Sequence, residues 1–134
     1  MTAKVESLPH AGGFIQSEAN GMLSREQVTI AQYATAALKA GTVMGKRSNN
    51  KWYPFDQDAS TGEETAAGIL YGDVDATGGE KQGVVICRMA EVKEGSLLYI
   101  NDPSTAEEAA AEASLLALNI AVRSGPTRIS TQTT

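Results

Sequence analysis

The sequence predicts a mainly β fold with a minor α contribution: one C-terminal helix and a flexible N-terminal arm. Three observations carry that expectation. Apolar residues come in short runs, such as 42–44, 66–70 and 84–89, with turn-forming residues between them. Gly41, Gly45, Gly68 and Gly72 lie beside those runs, where positive φ or close backbone approach is the ordinary reason for glycine. One segment near the carboxyl end combines a capping box with helical periodicity.

Composition bounds the rest. At 134 residues the chain is a single domain by size. Without an arm and a tail, roughly 100 residues remain, enough for one modest core. Hydrophobic residues make up 42% but aromatics only 5%, so Ala and Val must fill much of that core and a partner surface would help to stabilise it. The net charge of −5 and pI near 4.8 argue against a nucleic-acid backbone as main ligand, which needs a basic surface. No apolar run approaches the ~20 residues that span a bilayer, and the amino terminus lacks the pattern of a signal peptide. One cysteine, Cys87, allows no intrachain disulfide. The expectation is a soluble protein made in a reducing cytoplasm, with no membrane and no nucleic-acid partner.

Residues 1–23 read as an arm, because Pro9, Gly12, Gly13 and Gly21 interrupt any regular period. Its apolar residues come in pairs, Phe14-Ile15 and Met22-Leu23. Two readings of the pairs are open: they fold back onto their own domain as a flap, or they order on meeting another chain by adding a strand to its sheet. Residues 24–124 are the expected β-rich domain. In 24–33, Val28 and Ile30 alternate with polar neighbours, a half-buried strand. The run 42–44 is a short strand, Ser48-Asn49-Asn50 suits a tight reversal, and Lys51-Trp52-Tyr53-Pro54-Phe55 returns as a strand that Pro54 places at an edge or at its end. Trp52, Tyr53 and Phe55 are candidates for core or subunit-interface contacts. A polar loop, 56–65, leads into a buried strand at 66–70.

Asp73 and Asp75 fall in a loop, where solvated turn carboxylates are the expectation, since a calcium loop needs more oxygen ligands at fixed positions. The run 84–89 reads as an interior strand with Cys87 as a small core residue. A nucleophilic thiol would want a positioned histidine, and the single histidine, His10, sits in the arm. Residues 91–95 read as a charged turn and 97–100 as the next strand. Ser104 with Glu107, or Thr105 with Glu108, starts the helix. Ala106, Ala109, Ala110, Ala113, Leu116 and Ala117 form one stripe, expected to lie against the sheet. Near Asn119 the helix should yield to a short strand at 120–122, and 125–134 reads as a mobile tail. No phosphate-binding glycine loop and no metal-ligand spacing occurs, so no catalytic residue, metal or cofactor is expected.

The order of these pieces resembles the head decoration proteins of tailed bacteriophages, the group typified by protein D of phage lambda. A Thr-Val-Met-Gly strand (42–45) leads through a polar turn to the pair Phe55-Asp56, then an acidic, glycine-containing loop runs into Ala-Gly-Ile-Leu (67–70). Val-Asp-Ala-Thr (74–77), two hydrophobic segments, a helix and a final short strand follow. The resemblance covers roughly residues 24–124 and lies in the whole arrangement more than in any part. It implies a small β-rich decoration-protein fold. It also implies a capsid-cementing role as homotrimers at three-fold and quasi-three-fold sites, outside the expanded head. The major capsid protein of the same phage is then the partner, and Phe14, Ile15, Met22 and Leu23 are the arm's candidate capsid contacts. The sequence departs from the lambda pattern in its arm, which has Phe14-Ile15 instead of a Pro- and Thr-rich stretch, and in the polar extension after Gly125. Two alternatives remain at this point: a tail or head-completion β-barrel protein, or a carbohydrate-binding module using Trp52, Tyr53 and Phe55 as a stacking platform.

Overall fold

The structure is a computed structural model and describes residues 11–19 and 23–124. Eight strands and one α-helix form two connected parts among these residues: β1 (Ile15–Glu18), β2 (Arg25–Ile30), β3 (Val43–Lys46), β4 (Lys51–Pro54), β5 (Gly68–Leu70), β6 (Lys81–Ile86), β7 (Ala90–Lys93), α1 (Thr105–Ala117) and β8 (Ile120–Arg123). Five strands close a barrel in the order β2-β4-β3-β5-β6, and β1-β7-β8 make a three-stranded sheet. The fold is therefore mainly β with a single C-terminal helix, as the short apolar runs predict.

Alternation along β3, β5 and β6 organises the interior. Met44, Leu70 and Val85 point into a cluster that fills the barrel with Val28, Ile30, Leu38 and Trp52. Their neighbours Val43, Ile69 and Ile86 belong to a second cluster with Phe14, Phe55, Val92, Leu115 and Ile120. Most of β3, all of β5 and the end of β6 at Val85 and Ile86 are buried on both faces, which is why those stretches read as continuous apolar runs. By contrast β2 alternates in its second half, with Val28 and Ile30 buried on either side of half-buried Thr29. The single modest core expected from length is thus two clusters sharing one wall.

Local chemistry sets the reversals. In the β3–β4 hairpin Asn50 has φ 66°, its amide donates to the Arg47 carbonyl at 2.9 Å, and Asn49 Oδ1 accepts from the Lys51 amide at 2.9 Å. Asparagine tolerates this left-handed backbone better than most side chains. Pro54 ends β4, which lies between β2 and β3 and is not an edge. At the helix start the Ser104 hydroxyl accepts from the Glu107 amide at 3.2 Å, and Glu107 Oε1 accepts from the Ser104 amide at 2.7 Å, a complete capping box. Asn119, at φ 64°, terminates the helix, and the chain turns directly into β8.

Three expectations are corrected. The charged turn at 91–95 is largely a strand: β7 alternates buried Ala90 and Val92 with Glu91 and Lys93 and is the centre of its sheet, followed by a 3-10 turn at Glu94–Ser96. Residues 97–100 join neither sheet as a strand; Leu98 makes an isolated parallel bridge to Thr42, and Leu98 and Ile100 are exposed. The interior strand ends at Ile86, so Cys87 follows β6 and is half-buried. The proposed tail, 125–134, lies outside the described residues.

One close approach constrains the barrel. A Cβ on Gly45 would sit 2.5 Å from the Glu63 Cα and 2.8 Å from its carbonyl oxygen, because the loop 56–65 crosses directly over β3. Gly45→Ala is expected to destabilise the fold by about 1–3 kcal/mol, the usual range for forced overpacking. Urea melting checks this; a variant melting within error of wild type would mean that the loop can move away freely.

Candidate interaction surfaces

The described half of the amino-terminal segment belongs to the fold. The unpaired edge of β7 takes β1 as an antiparallel partner, with Ile15 opposite Val92 and Glu18 opposite Ala90. Just before it, Phe14 is 2% exposed in the cluster shared by the sheet, the helix and the barrel wall. The Phe14 carbonyl accepts from the Lys93 amide at 2.8 Å, and the Gly12 amide donates to the Tyr71 carbonyl at 2.9 Å. An arm free as far as residue 23 does not hold for residues 11–19. Phe14 cannot anchor in a foreign surface while it fills this one, and Ile15 is half-buried in β1. Of the other two candidates, Leu23 is 58% exposed and Met22 lies outside the described residues.

Charged groups fasten β1 to the barrel. Arg25 Nη2 donates to Glu18 Oε1 at 2.7 Å and Nε to Oε2 at 3.2 Å, and Ser24 Oγ also donates to Glu18. The Arg25 guanidinium lies 4.2 Å over the Tyr71 ring. The Arg25 hydrogen bonds hold the Glu18 carboxyl below its usual range, burial working against them.

A second fastening secures the loop over β3. Glu63, 3% exposed, takes hydrogen bonds from Arg47 Nε at 2.9 Å and from Nη2 at 2.5 Å, and Thr61 Oγ1 donates to it at 2.6 Å. Arg47 in turn lies 3.7 Å over the Tyr53 ring. The Arg47 hydrogen bonds, against the cost of burial, bring the Glu63 carboxyl down from 4.5 to about 2. Trp52 is 4% exposed inside the barrel and Phe55 3% exposed in the other cluster. These aromatics are core residues on different sides of the wall, with Tyr53 half-buried beneath Arg47, so they do not form a stacking platform for sugars. Phe55 instead meets Tyr99 edge-on, centroids 6.0 Å apart.

The loop carboxylates serve the backbone. Asp73 Oδ1 accepts from the Ala40 amide at 2.8 Å, and Asp75 Oδ1 accepts from Thr77 Oγ1 at 2.6 Å and from its amide at 3.2 Å. Among the described residues no three His, Cys, Asp or Glu side chains gather as metal ligands would. Burial pushes the Cys87 thiol above its ordinary value, which keeps it protonated at neutral pH.

The helix holds the largest departure from expectation. Its buried residues are Ala111 and Leu115. The expected inner stripe, Ala106, Ala109, Ala110, Ala113, Leu116 and Ala117, is exposed, with Leu116 at 60%. The periodicity is real but points outward.

A family model for bacteriophage lambda head decoration protein D matches residues 5–120. The chain belongs to that family. No curated protein compared with it matches. Family membership makes this a structural component of a phage virion, with a role in decorating the capsid.

The Glu63 ion pair sets an acid limit on the decoration domain. A carboxyl whose folded pKa is depressed contributes stability that is fully present above its unfolded pKa, near 4.5, and lost as pH falls toward about 2. Melting temperature is expected to fall between about pH 5 and pH 2, and Glu63→Gln to flatten part of that fall while lowering stability at pH 7. With Arg47 partly exposed, a loss of about 2–3 kcal/mol is expected for the substitution at neutral pH. Thermal melts of both proteins across this range check it; parallel pH profiles would exclude Glu63 as the responsible group.

Proposed function

We propose that the protein cements the expanded head of its phage, binding outside the shell as trimers at three-fold and quasi-three-fold positions. The observation that carries this reading is the match to the decoration family over residues 5–120. The mechanism is thermodynamic. A protein that binds the assembled, expanded lattice and not its dissociated subunits stabilises that lattice by its binding free energy. Bridging neighbouring major capsid proteins then resists the pressure of packaged DNA. Three copies joined in one trimer bind by effective concentration, so that each contact can be weak. An acidic chain, with net charge −5, suits a surface that does not touch DNA.

On this reading the buried position of Phe14 bears on which amino-terminal residues would meet the shell. Since Phe14 and β1 are used by the fold, the contact is assigned to the residues before Ala11, together with exposed Leu23 and its neighbour Met22. Ile15, half-buried in β1, contributes from the edge of the sheet.

Co-sedimentation with expanded, decoration-free heads tests the function directly. Full-length protein is expected to bind saturably and to raise the temperature at which heads fall apart; absence of binding would move the protein to another place in the virion. Deleting residues 1–10 should weaken binding at least tenfold with little change in melting temperature. Deleting 1–23 should also damage the fold. Losing a buried phenylalanine costs about 3–5 kcal/mol, and each kcal/mol moves melting by about 4–8 °C for a domain of this size. Equal melting of the two truncations would contradict the buried position of Phe14.

A further inference from the structure

Tyr71 follows β5 directly and packs, half-buried, against the cluster between barrel and sheet. Its backbone is fixed to the barrel wall, where its amide donates to the Val84 carbonyl at 2.8 Å. From there it meets the amino-terminal segment twice. On one side its carbonyl accepts from the Gly12 amide at 2.9 Å. The ring stands so near that a Cβ on Gly12 would lie 3.0 Å from Cε1 and 3.3 Å from the hydroxyl oxygen. Over the ring face lies the Arg25 guanidinium, 4.2 Å from the centroid, and Arg25 holds Glu18 at the far end of β1. Between these two contacts the chain turns. Gly12 has φ 71°, and its carbonyl accepts from the Ile15 amide at 3.1 Å. Glycine adopts that φ without the steric cost that a side chain would bring.

We infer that Tyr71 is a positioning residue for the contact with the shell: with Gly12 it sets the point and the direction in which residues 1–10 leave the domain. The inference rests on the proposed binding of those residues to the shell. Phe14 alone does not set that direction. Its buried ring fixes the depth of the segment, but Gly12 and Gly13 lie on its amino-terminal side, and glycines let a backbone swing unless something stops it. Tyr71 supplies the stop, as one backbone hydrogen bond, one steric wall and, through Arg25, a brace on β1. Two consequences follow for binding. The free tether is limited to residues 1–10, which reach about 35 Å when fully extended, so the surface they meet lies within about that distance of Ala11. Part of the conformational entropy that an unrestrained arm would lose on docking is also removed before the encounter, which favours a weak contact made several times over.

Pulsed electron spin resonance on the full-length chain tests this. Spin labels are attached at His10→Cys and at exposed Gln82→Cys in a Cys87→Ser background, and labelled chain is diluted with unlabelled chain so that distances within one copy are read. A narrow distance distribution is expected. Gly12→Ala, strained at φ 71° and pressed against the ring, and Tyr71→Ala should each lose the narrow peak. Tyr71→Phe keeps ring and carbonyl and should retain it. The same variants, unlabelled, are then bound to decoration-free heads. Gly12→Ala is expected to bind about fivefold more weakly than wild type, with melting within about 5 °C of it, and Tyr71→Phe to bind as wild type does. A broad distribution in the wild type, or a narrow one that survives both Gly12→Ala and Tyr71→Ala, would overturn the assignment. So would wild-type affinity for heads in a Gly12→Ala protein that has lost the peak. A wild type that shows the narrow peak and does not bind heads would sink the shell contact itself and leave the point of departure standing.

Discussion

Burial of β3, β5 and the end of β6 on both faces is the constraint on which the rest of this structure depends. Each strand supplies one residue to the barrel interior and the next to the layer between barrel and sheet: Met44 and Val43, Leu70 and Ile69, Val85 and Ile86. A slip of one residue in any of them would exchange the two sets and misfit both clusters, so register is specified twice. The wall also explains how a chain with few aromatics builds a core at all. Shared between two clusters, the same short apolar runs cover both, and the fully buried aromatics divide across the wall, Trp52 within the barrel and Phe14 and Phe55 outside it.

The outer side of that wall must be covered, and the cover comes from both ends of the described chain. Phe14 and β1 arrive from the amino-terminal side, Leu115 and Ile120 from the helix and β8. The three-stranded sheet is small, and β1 contributes only four residues to it, so side-chain fastenings matter more than usual. The Glu18–Arg25–Tyr71 arrangement links β1 to the barrel, and its partial burial makes it stronger than an exposed pair would be. Packing of Phe14 therefore makes the segment that carries it and β1 part of the folded domain.

How much of this was legible follows from the same physics. The barrel strands were legible because two-sided burial writes an uninterrupted apolar run and one-sided burial writes alternation, as in β2. The capping box of Ser104 and Glu107 and the turn at Asn50 were legible because they are local. Strand β7 was missed because Glu91 and Lys93, the solvent-side half of an alternating pattern, outweighed the small Ala90 and Val92 between them. The segment 97–100 looked like a strand by composition, yet its Leu98 and Ile100 face outward, and nothing in the run itself records that. Phe14 was unresolved for a related reason: an apolar pair in a glycine-broken segment shows that something is covered, not what covers it. The helix face taught the same lesson. Periodicity located the stripe but carried no information on which neighbour it meets.

That last ambiguity bears on how a decoration protein is stabilised. Ala111 and Leu115 are the buried residues of α1, so the helix is joined to its own domain by a narrow seam and by the continuous turn into β8. Its broad apolar face contributes nothing while it is wet. Covering that face removes apolar surface from water at about 25 cal/mol per Å² before the entropic costs of association are subtracted. Through β8 the helix is also tied to the β7 strand that carries β1.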